Sequence, residues 1–94
     1  WQKDGFIEIE TEHVVMLNGM DFNFDVENIA DKFKLEVMTN GIWQPISLSM
    51  NKRNKTLVNA GHEIDGLKAK KLRLTNTSGE DLKVYFRSFK FATK

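Results

Sequence analysis

The chain has no cysteine, one proline, two histidines and no long apolar run. Without cysteine there can be no disulfide, no thiolate chemistry and no Cys-containing zinc site. A virion or cytoplasmic setting is therefore expected ahead of a disulfide-rich secreted one. No stretch approaches the ~20 apolar residues of a membrane helix, and no basic-then-apolar signal segment is read, so no membrane partner is expected. The two histidines, His13 and His62, are too far apart in sequence to suggest a catalytic triad or a metal-ligand spacing. Glu8, Glu10 and Glu12 alternate as one face of a strand and do not form a paired catalytic site. The expectation is a protein that is not an enzyme and takes no cofactor and no metal.

With 94 residues the chain is expected to form one domain over residues 1–94. A chain of this size buries about 60–65% of its unfolded surface, enough for one core. The start at Trp1 fits a removed initiator, processing, or a domain of a longer protein. The near-neutral net charge of +1 hides a split. Residues 1–47 carry three basic and nine acidic side chains, whereas residues 48–94 carry eleven basic and four acidic. If the halves occupy different faces, the split favours stacking of identical subunits or docking on a charged partner. If they interleave as neighbouring strands, the charges pair across the sheet.

Period-two alternation runs through the chain. Phe6, Ile7 and Ile9 with Glu8 and Glu10 predict a first strand, and Val14–Leu17 forms an apolar run stopping at Asn18-Gly19, a hairpin signal. Met20, Phe22, Phe24 and Val26 then alternate with polar residues, and residues 27–32 read as a short connection. Phe33, Leu35 and Val37 predict another strand, turned by Asn40-Gly41. In the next strand Ile42, Gln44, Ile46, Leu48 and Met50 share one parity, with Trp43 and Pro45 on the other. Proline cannot donate to a ladder, so this strand is an edge or bulges at Pro45. Short strands are expected at residues 56–58 and 63–67. Residues 70–91 read as a closing hairpin around the turn-rich run 76–81, with a bulge near Arg87 or Ser88 keeping Phe86, Phe89 and Phe91 all on the core side. About seven or eight short strands at this spacing predict an all-β fold, an antiparallel β-sandwich of jelly-roll or immunoglobulin-like type.

Two surfaces are candidates for function. Trp43, if exposed, gives with Gln44, Asn40 and Tyr85 a face on which a sugar ring or a protein partner could stack. Lys52, Arg53 and Lys55 with Lys70, Lys71 and Arg73 could form a basic face for phosphate groups. Asn54-Lys55-Thr56 and Asn76-Thr77-Ser78 match the glycosylation pattern.

The segment Leu72-Arg73-Leu74-Thr75-Asn76-Thr77-Ser78-Gly79, followed by a final strand, resembles the last hairpin of small β-sandwich modules in tailed-bacteriophage virions, the decoration and tail accessory proteins. The resemblance covers about a quarter of the chain. It implies a structural role, usually oligomeric, without a cofactor, and no functional residue carries over position by position. The partners expected are further copies of the chain or other assembly proteins; a glycan is the first alternative and nucleic acid the second.

Overall fold

The computed structural model describes residues 1–93, with side chains through Lys90. The fold is all-β and antiparallel. Seven strands form a nearly closed sheet: β1 (Phe6–Phe24), β2 (Phe33–Thr39), β3 (Ile42–Ile46), β4 (Leu48–Met50), β5 (Leu57–Ala60), β6 (Lys68–Asn76) and β7 (Phe86–Thr93). The strand order is β3-β2-β6-β1-β5-β4, with β7 also paired to β1.

The organising element is β1, 19 residues long. Its first half pairs with β6 and its second half with β5 and β7, so it belongs to both strand groups. The expectation of a turn at Asn18-Gly19 is corrected here. Gly19 is not among the residues with positive φ, and the strand runs straight through it. A bulge replaces the turn: Leu17 lies opposite Thr93 and Gly19 opposite Ala92, leaving Asn18 as an extra residue. The physical reason is parity. Val15 and Leu17 point inward on odd positions, whereas the buried Met20, Phe22 and Phe24 lie on even ones. One inserted residue lets a continuous strand bury both sets. A larger irregularity sits upstream, where Thr11, Glu12, His13 and Val14 face only Lys70.

The closing hairpin is also corrected. β6 is flanked on both edges, by β1 and by β2, so no edge remains for β7, which pairs with β1 instead. Ile7 and Ile9 meet Leu74 and Leu72 on one side, and Leu35 and Val37 meet the same leucines on the other. Burying both faces of that leucine pair outweighs the local turn signal, because apolar burial is the larger energy. The expected strand at residues 63–67 is a single 3-10 turn, His62–Ile64, closed by the Ile64 N–H donating to the Gly61 carbonyl at 3.2 Å.

Other local signals hold. Asn40 and Gly41 have φ of 53° and 77°, the doubly positive geometry of a tight hairpin turn, and they set the β2–β3 register with Thr39 opposite Ile42. Pro45 lies on β3, which among the described residues pairs only with β2 and is an edge. Phe24 lies opposite Phe86 and Asn23 opposite Ser88, so Arg87 is the extra residue of a bulge. Phe86 and Phe89 consequently both reach Phe22, with ring centroids 6.0 and 5.2 Å away. The side chain of Phe91 lies outside the described residues.

Phe22, Phe24 and Phe33 form the centre of the core with Leu35, Val37, Val58 and Leu74, all nearly or fully buried. Truncating a buried phenylalanine of this kind to alanine costs about 3–5 kcal/mol.

Candidate functional site

Three strands, β1, β6 and β2, lie side by side with alternate residues turned to solvent. On the inner side Ile7, Leu74 and Leu35 line up in one row, and Ile9, Leu72 and Val37 in the next. The opposite parity places Glu8, Arg73 and Glu36 in one outward row. The hairpin register then sets Trp43 opposite Met38 on the same outward face. The side chains meet there. The Arg73 guanidinium lies 4.2 Å from the Trp43 ring centroid and 5.7 Å from that of Phe6. Its Nη2 donates to Glu36 Oε1 at 3.1 Å, and Lys34 Nζ stands 3.7 Å from the same oxygen.

This cluster is half-buried at its centre and open at its margin. The side chains of Arg73 and Glu36 keep 27% and 14% of their exposure, whereas Phe6 is 58% exposed. A guanidinium stacked on an indole contributes about 0.5–2 kcal/mol, more as water is excluded. The bond to Glu36 and the Trp43 ring together hold the guanidinium on this face. The result is an aromatic–cation–aromatic platform that spans four strands, β1, β6, β2 and β3.

The residues singled out from sequence are divided among several places. Trp43 is on the outer face, but Gln44 has the opposite parity, next to Val37 on the core side. Asn40 is exposed in the hairpin turn. Tyr85 is 75% exposed on a different segment, where its N–H donates to Asp25 Oδ1 at 2.7 Å, beyond the far end of β1. Trp43 therefore shares its face with Arg73, Phe6 and Glu36 instead.

The six basic candidates are also separated. Lys70, Lys71 and Arg73 are on β6, whereas Lys52, Arg53 and Lys55 occupy the loop between β4 and β5, held by Asn51 Oδ1 accepting from the N–H groups of Arg53 and Asn54 at 2.9 and 3.0 Å. The β6 charges have acidic neighbours. Lys71 lies opposite Glu10, Arg73 lies between Glu8 and Glu36, and Lys70 Nζ is 4.0 Å from Glu10 Oε1. Basic β6 thus lies between acidic β1 and the Glu36 of β2, so the β6 charges meet glutamates across the sheet. Among the described residues no group of three or more His, Asp or Glu is placed to hold a metal.

Three arrangements were not foreseen from sequence. Asn76 is fully buried as a hub: Nδ2 lies 3.2, 3.0 and 2.8 Å from the carbonyls of Trp1, Gln2 and Glu80, and Oδ1 accepts from the Ser78 N–H and hydroxyl. That position removes Asn76 from glycosylation in the folded chain. Glu63 grips Ser47, its two oxygens accepting from the Ser47 N–H and hydroxyl, both at 2.8 Å. The Ser47 N–H bond is the main reason the Glu63 carboxyl is held below its ordinary value. An open apolar groove is lined by Trp1, Ile7, Phe24, Val84 and Phe86. Parity locates Trp43 outward, but nothing local in the sequence identifies β6 as the neighbour that supplies Arg73.

In comparison with known proteins, the chain matches no family model, and no curated protein matches it.

Proposed function

We propose that this chain is a non-enzymatic interaction module, an oligomeric component of a virion or other surface assembly, with its two strand groups serving as the layers of a β-sandwich. The observation that carries the reading is the outer-face platform of Phe6, Arg73 and Trp43. Aromatic residues and arginine are the types that dominate interface energies, and here they sit on paired strands, so little side-chain entropy is lost when a partner covers them. The charge split gives less support than the sequence promised, because the interleaved strands pair the two signs. The resemblance to virion modules adds a setting but no residue.

Light scattering over a concentration series at low and high salt tests this. The expected result is a defined oligomer that Trp43→Ala dissociates, with an affinity loss on the order of 30-fold or more, the size of a hot-spot truncation of about 2 kcal/mol. A folded monomer at all concentrations would remove the self-assembly reading.

A second reading is a carbohydrate-binding module using Trp43, favoured by the outward indole. A sugar ring would have to stack on the face that Arg73 leaves uncovered. Loss of glycan binding in Trp43→Ala with the fold intact is its test. Nucleic-acid binding through the basic residues has least support, because Glu8, Glu10 and Glu36 interrupt the β6 charges.

A further inference from the structure

The outer platform leaves one structural irregularity unused. β1 has a different environment on each edge. At Leu17 the two edges can be told apart: its N–H donates to the Leu67 carbonyl at 2.8 Å, and Thr93 of β7 lies opposite. β7 covers its edge of β1 only from Leu17 to Phe24, so along residues 6–15 no described strand pairs with that edge. The Asn76 N–H donates to the Gly5 carbonyl, so odd residues of β1 turn their backbone groups toward β6. The N–H and C=O groups of Phe6, Glu8 and Glu10 therefore point to the open edge.

The core is also incomplete along this edge. Ile7 and Phe86 lie on the inner side, opposite Leu74 and Phe24, yet remain 40% and 37% exposed. They line the open groove with Trp1, Phe24 and Val84, which offers a volume of about 220 Å³. A dry apolar cavity of about 150 Å³ already takes up a benzene-sized ligand, so this volume admits one leucine or phenylalanine side chain. On the other side of the same edge the exposed side chains are Glu8, Glu10 and Glu12. β3, in contrast, carries Pro45, a residue that blunts edge pairing.

We propose that residues 6–10 of β1 accept an extended segment of a protein partner as an added strand, the segment alternating apolar and basic residues. Backbone bonds to Phe6, Glu8 and Glu10 hold it, an apolar side chain fills the groove beside Ile7 and Phe86, and basic side chains stand over the glutamates. This rests on the interaction-module reading but uses a different surface from the Trp43 platform.

The probe is a capped seven-residue peptide in which lysine alternates with leucine, with glutamate replacing lysine in the control. Binding is followed at low salt by amide chemical shifts and by Trp1 fluorescence in a Trp43→Phe background. The lysine peptide is expected to shift the amides of residues 6–10 and the Trp1 signal, and the glutamate peptide to leave them unmoved. Glu8→Pro removes one open-edge N–H while keeping the β6 ladder, and should weaken binding at least tenfold. Glu8→Lys with Glu10→Lys should reverse the peptide preference; because these lysines would face Arg73 and Lys71, retention of the fold is checked first by circular dichroism. No shift with about 1 mM lysine peptide, or undiminished binding by the charge-reversed variant, overturns the proposal. A homodimer that Glu8→Pro dissociates would overturn it in favour of a second copy at this edge. A chain that stays monomeric yet takes the peptide refutes the platform alone, and an oligomer that refuses the peptide refutes the added strand alone.

Discussion

Asn76→Ala should be the most damaging polar substitution in the described chain. The side chain is fully buried and ties the N-terminal residues Trp1 and Gln2 to the 77–80 turn. Its amide has two hydrogens for three carbonyls and an oxygen with two lone pairs for two Ser78 donors, so four bonds are satisfied at once. At about 0.5–1.5 kcal/mol net each, four bonds total roughly 2–6 kcal/mol. The Ser78 groups lie nearer the surface and recover some water, which places the expectation at about 3–4 kcal/mol. A domain of this size has about 5–15 kcal/mol in all, and each 1 kcal/mol shifts Tm by roughly 4–8 °C. The unfolding midpoint should therefore fall by on the order of 12–30 °C, read by urea and thermal unfolding with tryptophan fluorescence. Asn76→Asp sharpens the test. It keeps acceptors for Ser78 but aims a carboxylate at three carbonyls, so the folded state raises its pKa above the usual value of about 3.9. Stability is then present at low pH and lost as pH rises through the raised folded value. A loss below about 1 kcal/mol for the alanine variant, or a pH-independent deficit for the aspartate variant, would refute the hub.

Further outcomes are expected. Glu63 has its carboxyl lowered by the Ser47 N–H bond, so its contribution is present above the ordinary glutamate value of about 4.3 and lost as pH falls through the lower folded value. Acid titration of unfolding should show a shallower decline in Glu63→Gln than in the parent chain. A Cβ on Gly61 would collide with the Ser47 hydroxyl and the Glu63 carboxylate and stand 3.0 Å from the Ser47 carbonyl, so Gly61→Ala should cost about 1–3 kcal/mol in urea unfolding. Gly19 and Gly41 should respond in opposite ways. Gly19→Ala meets nothing within 4 Å and is neutral to stabilising by up to about 1 kcal/mol, whereas Gly41→Ala, at φ +77°, should lose about 1–2 kcal/mol. Arg73→Lys replaces a planar guanidinium with a point charge, so it should cost about 1 kcal/mol and alter Trp43 emission, checked by fluorescence and unfolding together.

Local features were legible wherever the physics is local. The Asn40-Gly41 turn needs two adjacent positive φ values, and only a few residue pairs supply them. Pro45 marks an edge because it lacks an N–H, and the parity break between Phe86 and Phe89 announces the Arg87 bulge. The candidate sites were less legible. Trp43 and Arg73 were both noted, but as members of different surfaces, because they come together across β2 only when β6 becomes its neighbour.

The sequence by itself determined which residues alternate, where the hairpin between β2 and β3 turns and that the chain is all-β, since these follow from backbone sterics and side-chain period. Tertiary structure alone decided that Asn18-Gly19 runs straight, that β6 lies between β1 and β2 and not against β7, and that the β6 charges meet glutamates on both flanks. It also left one edge of β1 open over an apolar groove. Each of these outcomes depends on which strands bury their apolar faces together, a competition among distant segments that no local signal encodes.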